Sequence, residues 1–321
     1  MRAIVQAGYG SVDQWRLTEI PQPAIADSDV LVKVRAAGID RGTWHALTGL
    51  PYLGRLYFGL RKPKRLVPGF DLAGTVVAIG ADVRRFAVGD EVFGIGRGSF
   101  AEYVSAREDK LVPTPADLSP ERAAVVAVSG LTALQSLRDA GRVQPGHHVL
   151  VVGASGGVGT FAVQIARACG AVVTGVCSTA KTDLVASIGA DHVIDYTRND
   201  FADGTERYDV ILDIGGSTSL SRLRRALKPR GTLVIVGGED DGRWTGLSRQ
   251  LHALVLSPFV RQRLTIRVPK ETHADIEELA KLIEAGRLTP VVDKTYKLAD
   301  AANAMRYLET GQARGKIAIT M

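Results

Sequence analysis

Between Met1 and about Pro115, apolar and polar residues alternate over short runs punctuated by glycine and proline, the period-two pattern of half-buried strands. Arg2–Gln6, Val30–Ala36, Ala73–Ile79, Glu91–Ile95 and Ala101–Val104 carry it most clearly. Helical periodicity is weak in this part, and Asp40 to Arg65 reads as a long excursion between β elements, a kind of segment more often functional than idle. From about Pro120 the pattern changes. Ser119-Pro120-Glu121 has the form of a helix start, with serine as N-cap, proline in the first turn and an acid favourable to the helix dipole. Continuous apolar runs at His148–Val152, Val172–Cys177, His192–Ile194, Asp209–Ile214 and Thr232–Val236 then alternate with helical segments at Thr160–Ala168, Thr182–Ser187 and Leu220–Leu227. That alternation predicts a parallel sheet covered by helices on both faces. Beyond about Leu264 come a strand at Thr265–Val268, a helix at His273–Glu284, a strand at Val292–Tyr296, a helix at Ala299–Glu309 and a last strand at Lys316–Ile319. This tail is too short to bury its own core and is expected to return to the first domain. The predicted organisation is a β-rich domain over 1–119, a doubly wound α/β domain over 120–263 and a return segment over 264–321.

Composition narrows the function classes. A chain of 321 residues exceeds the usual size of one hydrophobic core, and 45% hydrophobic with 23% charged residues is near the average for globular proteins. No run of about 18 apolar residues and no basic, apolar leader is present, so no membrane span is expected. The two cysteines, Cys169 and Cys177, exclude a disulfide framework and fit a reducing cytoplasm. The net charge of +6 fits polyanionic partners in general. Its densest run, Arg61-Lys62-Pro63-Lys64-Arg65, lacks interleaved aromatic residues, and no nucleic acid is expected. The run reads as a solvated face or as an attractor for an anionic cofactor.

The sharpest chemical signal is Val149-Leu150-Val151-Val152-Gly153-Ala154-Ser155-Gly156-Gly157-Val158-Gly159, followed at once by a helical segment. A buried strand ending in small residues before a helix aims unpaired N–H groups at a pyrophosphate and lets the backbone approach it. The predicted contacts are Ser155, Gly156, Gly157, Val158 and Gly159, with Ala154 standing where the fingerprint has its first glycine. An NAD site places an acid at the end of the next strand. Here that end reads Val176-Cys177-Ser178-Thr179-Ala180-Lys181. Ser178 and Thr179 can donate hydrogen bonds and Lys181 can neutralise a 2′-phosphate, so the predicted cofactor is NADPH. The alternative for these residues is an ordinary N-cap with a solvent-facing lysine.

Together with this turn, Ala37-Gly38-Ile39-Asp40, Pro68-Gly69-Phe70-Asp71-Leu72-Ala73-Gly74, Val88-Gly89-Asp90-Glu91-Val92-Phe93-Gly94, Gly130-Leu131-Thr132-Ala133, Gly189 to Tyr196 and Gly315-Lys316-Ile317 resemble the medium-chain dehydrogenase/reductase superfamily, in its zinc-free quinone oxidoreductase branch. The resemblance covers almost the whole chain. It implies a GroES-like β-rich domain beside a Rossmann domain, hydride transfer from NADPH, and a homodimer. It also implies that Tyr196 joins Ser178 and Lys181 at the 2′-phosphate, that Thr132 lies near the nicotinamide ribose and phosphates, and that Val236, Gly237 and Gly238 border the nicotinamide.

Zinc members of the superfamily use cysteine, histidine and acidic ligands. This chain has Asp40 where the first cysteine falls and Gly69-Phe70-Asp71 in place of Gly-His-Glu, so no metal is expected. Without a Lewis acid, the expected reaction is reduction of an already electrophilic acceptor, a quinone or an α,β-unsaturated carbonyl. Asp40, Trp44 and Tyr52 are the candidates to line that cleft. The family commonly has asparagine at Asp40, and an ionised aspartate cannot donate to an oxyanion. Two other readings stand beside this one: an enoyl-thioester reductase on the same scaffold, and an NADPH-binding interaction or RNA-binding protein without turnover.

Overall fold

A computed structural model of the chain describes residues 1–237, Trp244 and residues 248–321. The chain forms two compact units, one comprising Met1–Leu131, Glu271–Gly286 and Pro290–Met321, the other Thr132–Lys270 with Arg287–Thr289.

The first unit opens with an antiparallel pair, β1 (Arg2–Gln6) and β2 (Trp15–Glu19), followed by the long strand β3 (Asp29–Ile39). The excursion expected after Asp40 is largely helical. Asp40 is the N-cap of α1 (Arg41–Thr48), its carboxylate accepting from Thr43 N–H at 2.7 Å, and Gly49 closes the helix in the left-handed conformation at φ 63°. A short helix, α2 (Arg55–Phe58), follows. Then come β4 (Asp71–Ile79), β5 (Glu91–Ile95), β6 (Tyr103–Arg107), β7 (Leu111–Pro113), α3 (Pro120–Ala123) and α4 (Ala127–Gln135). Ser119 caps α3 through Arg122 N–H, as its sequence predicts.

The second unit carries β8 (His148–Val152), α5 (Gly157–Ala168), β9 (Val172–Cys177), α6 (Thr182–Ser187), β10 (His192–Asp195), β11 (Tyr208–Asp213), α7 (Leu220–Ala226), β12 (Leu227–Ile235), α8 (Ser248–Leu256) and β13 (Arg263–Ile266). Its six strands are all parallel, in the order β10-β9-β8-β11-β12-β13. This is the doubly wound arrangement in which the order reverses between the first and fourth strands, here β8 and β11. Leu150, Ile211, Leu233 and Tyr208 belong to one buried cluster of its core.

The chain then returns to the first unit through α9 (His273–Glu284), β14 (Val292–Lys297), α10 (Ala301–Glu309) and β15 (Lys316–Thr320). β15 pairs with β3, and the resulting sheet runs β14-β15-β3-β4-β5-β7, with β6 also on β3. Ile39 and Ile317, partners across β3 and β15, share a core with Trp15, Leu47, Phe100 and Met305. The fold is thus α/β, a Rossmann parallel sheet with a β-rich GroES-like unit.

Candidate functional site

The glycine turn sits at the carboxyl end of β8, where the strand order reverses. Gly153 has φ 87°, a conformation open to glycine, and its N–H and that of Ala154 both reach the Val176 carbonyl. Ala154 is fully buried, and its methyl is accommodated because its neighbour on β9 is Gly175, where a Cβ would lie 3.1 Å from it. Gly156 is the N-cap of α5 and offers no side-chain cap, so the first N–H groups of the helix have no intrahelical acceptor. A Cβ on Gly156 would meet only the Gly153 carbonyl, at 3.6 Å. On Gly159 it would lie 2.1 Å from that same oxygen. The first glycine therefore keeps space open in front of the helix, and the second lets helix and turn pack. An anionic diphosphate fits the donors and the clearance at this turn.

At the next strand ends the structure brings together Ser178, Thr179, Lys181 and Tyr196. Ser178 follows β9 and precedes the turn Thr179–Lys181. Tyr196 follows β10, and its N–H donates to the Cys177 carbonyl at 3.1 Å. Tyr196 is 58% exposed and available to a ligand.

A carboxylate stands between them that the sequence reading assigned no role. Asp195, at the end of β10, is the register partner of Cys177 and is nearly buried. It accepts from the Thr179 hydroxyl at 2.5 Å, and from the N–H and hydroxyl of Thr197 at 3.0 and 2.7 Å. The Thr179 hydrogen bond, then those of Thr197, hold its carboxyl below the usual range against the opposing effect of burial. The Thr179 proton thus goes to Asp195. Burial pushes the Cys177 thiol up to about 11, Asp195 adding to the shift, so this cysteine is not a thiolate at neutral pH. The signal that could have found Asp195 is Asp-x-Thr after a strand, an aspartate closing a turn on its own i+2 N–H.

On the other side of β8, the exits of β11 and β12 interlock. Val236 and Gly237 donate to the Asp213 carbonyl at 2.9 and 3.2 Å, and a Cβ on Gly237 would lie 2.2 Å from the Ile214 carbonyl. Arg249 of α8 binds the buried Asp213 carboxylate and the Gly216, Thr218 and Gly237 carbonyls. No local pattern marks this long-range clamp. Gly238 lies outside the described residues. Thr132 is 8% exposed on α4.

In the first unit, Asp40 is 6% exposed and occupied at one oxygen by the α1 cap. Trp44 donates its indole N–H to Glu309 at 2.9 Å, and Tyr52 is 37% exposed with the Arg55 guanidinium 4.8 Å above its ring. Among the described residues no group of three or more histidine, cysteine or acidic side chains is placed to hold a metal ion. No helix among them is long and apolar enough to cross a membrane.

A parallel sheet in this strand order, with a glycine turn at its reversal and a GroES-like unit in the same chain, defines the class: a two-domain dinucleotide-dependent oxidoreductase. Residues 26–116 match the family described as alcohol dehydrogenase GroES-like domain, and residues 188–319 the family described as zinc-binding dehydrogenase. The chain is 31% identical to 2-methylene-furan-3-one reductase of Solanum lycopersicum, over 99% of this chain and 79% of that protein. It is 30% identical to the chloroplastic quinone oxidoreductase QR1 of Triphysaria versicolor, over 99% and 98%. A mycobacterial protein solved in complex with NADPH superposes with a TM-score of 0.85 at 28% identity, covering all of both chains. The chain belongs to the medium-chain dehydrogenase/reductase superfamily, among relatives of the quinone oxidoreductase kind, and is an NAD(P)H-dependent oxidoreductase.

Proposed function

We propose that this protein uses NADPH to reduce a quinone or the β-carbon of an α,β-unsaturated carbonyl, without a metal. The observation that carries the cofactor choice is the strand-end cluster. The carboxylate at the end of β10, Asp195, is nearly buried and bound by Thr179 and Thr197, while Ser178, Lys181 and Tyr196 share the strand ends. Such a set favours a 2′-phosphate over a bare ribose diol. Bound in this site, NADPH supplies the hydride.

The protein's part is placement. The first N–H groups of α5 hold the diphosphate, Lys181 offsets the extra phosphate charge, and Val236 and Gly237, beside the Arg249 clamp, border the nicotinamide. Phe70 has no ligating atom, and Asp40 gives one oxygen to the α1 cap, which favours acceptors electrophilic on their own. Hydride addition at the β-carbon breaks the C=C π bond and leaves an enolate, which takes a proton at the α-carbon. Trp44 and Tyr52 are the proposed walls for the acceptor.

A second reading has its own observation. No acidic residue occurs between Asp40 and Asp71, and in that stretch Arg61, Lys62, Lys64 and Arg65 are exposed. A cationic face of this kind suits the phosphates of an enoyl-thioester carrier. Exposed Leu251, Leu254 and Val255 on α8, with Phe259 and Val268 flanking the edge strand β13, support a homodimer. The reducing cytoplasm remains the proposed compartment, both cysteines being free thiols.

The test is a panel of a quinone, an enone and an enoyl-CoA with NADPH and NADH, followed by loss of nicotinamide absorbance. Turnover of quinone or enone with NADPH supports the proposal. Turnover restricted to the thioester favours the second reading, and NADPH binding with no turnover on any acceptor overturns both.

A further inference from the structure

Three charged side chains from separate strands meet in the interior of the first unit, away from the glycine turn. Their placement follows from register. Ile39 of β3 pairs antiparallel with Ile317 of β15, so the next step sets Asp40 opposite Lys316. On the other side of β3, Gly38 pairs with Asp71 of β4. Positions 38 and 40 share one face of the sheet, so Asp40, Asp71 and Lys316 do as well. Gly38 makes the meeting possible: a Cβ there would lie 2.9 Å from the Asp71 Cβ and 2.5 Å from the Ala124 carbonyl.

All three are buried, with exposures of 6% for Asp40, 0% for Asp71 and 2% for Lys316. Asp40 spends Oδ1 on Thr43, and Asp71 spends Oδ1 on the Val128 N–H of α4 at 2.8 Å. Their Oδ2 atoms and the Lys316 ammonium have no hydrogen-bond partner in the protein. The ammonium stands 3.6 Å from Asp71 Oδ2, an ion-pair distance too long for a good hydrogen bond. The groups facing Asp71 are Lys316 from β15, Asp40 from the β3–α1 junction and the Val128 N–H from α4, while its partner on β5 is the apolar Ile95.

Fully ionised, the cluster would hold two negative charges against one positive among buried side chains. A net buried charge is costly, and carboxylates sharing a site do not both ionise freely. We propose that Asp40, Asp71 and Lys316 form a single buried charged cluster whose one exchangeable proton rests on Asp71 and leaves the cluster neutral. Burial, first, and then Asp40 against the opposing pull of Lys316, push the Asp71 carboxyl up to about 7. The same two carboxylates hold the first turns of α1 and α4, the helices that carry Trp44 and Thr132. The proton therefore sits where both helices are fixed.

Infrared difference spectra of the full chain without added cofactor, titrated from about pH 5 to about pH 9, test the proposal. The wild type should show the C=O stretch of a buried protonated carboxyl that disappears as the pH rises. Asp40→Asn and Asp71→Asn each remove one acid, leave one carboxylate matched to Lys316, and should each abolish that band. Both are close to isosteric, and thermal unfolding of each provides a second measurement. Because the folded-state value of Asp71 lies above its unfolded one, wild-type stability should fall as pH rises from about 4 to about 7, and Asp71→Asn should lack that fall. Absence of the band in the wild type, or its survival in either asparagine variant, overturns the proposal.

Discussion

The hydroxyl of Thr179 and the carboxylate of Asp195, on turns after neighbouring parallel strands, are joined by a hydrogen bond of 2.5 Å. The bond ties the turn after β9 to the one after β10. Replacing Asp195 by asparagine weakens this tie. Its carboxyl lies below the usual range, so the stability it contributes is present above the unfolded-state value near about 4 and is lost as pH falls through the lower folded value. Asp195→Asn should therefore melt below wild type at neutral pH, with the gap closing in acid; equal melting temperatures at pH 7 would show that the tie carries no stability.

Cofactor preference should respond to Lys181 and Ser178. Lys181→Ala should weaken NADPH by roughly 5-fold to 100-fold relative to NADH, the span between an exposed ion pair and a charge-assisted contact in a partly closed site. Ser178→Asp should move the preference toward NADH by setting a carboxylate against the phosphate. The quantity to compare is the ratio of catalytic efficiencies at fixed ionic strength. A wild type that already prefers NADH, or a ratio unmoved by both changes, would falsify the NADPH assignment.

The two glycines of the turn should fail in different ways. Gly156→Ala has room in the protein and should keep the wild-type melting temperature while losing NADPH affinity. Gly159→Ala drives a methyl into the Gly153 carbonyl and should cost stability by an amount typical of overpacking, about 1 to 3 kcal/mol, so that the melting temperature itself falls. Thermal unfolding and a fluorescence titration of each variant separate the two.

Metal chelators should leave turnover unchanged, and metal analysis of the purified protein should find no stoichiometric zinc. The expectation rests on donor chemistry: Phe70 offers no ligand, and neither cysteine lies near the Asp40 or Asp71 positions in the sequence. One tightly held zinc per chain would contradict it.

Most strands of the second unit were legible because burial on both faces leaves an unbroken apolar run. His148–Val152 and Val172–Cys177 were read to the residue. β2 was not, since only Trp15 of its five residues is buried and no alternation survives. α1 was read only as part of an excursion between β elements because its helix is set by two terminal devices, the Asp40 cap and the left-handed Gly49, more than by an apolar stripe; only Thr43 and Leu47 are fully buried in it. At the site, the glycine turn and the residues after β9 were visible as local strings. The Asp195 turn carries a local Asp-x-Thr signature, but its bond to Thr179 required knowing that β10 lies beside β9, and the Arg249 clamp required the closure of α8 onto the exits of β11 and β12. Those are tertiary facts, and no window of sequence contains them.

The pairing of Ile39 with Ile317 also bears on the order in which the molecule is made. During synthesis, β3 emerges early and its Ala36–Ile39 stretch, beyond the part of that edge paired with β6, waits unpaired until β15 leaves the ribosome, after the whole parallel sheet of the second unit has appeared. The second unit can fold as the chain grows, whereas the first must hold an open strand edge through that interval. Vectorial synthesis thus makes the amino-terminal unit the last to be finished, and the waiting stretch of β3 offers a nascent chain a place to pair with another copy of itself.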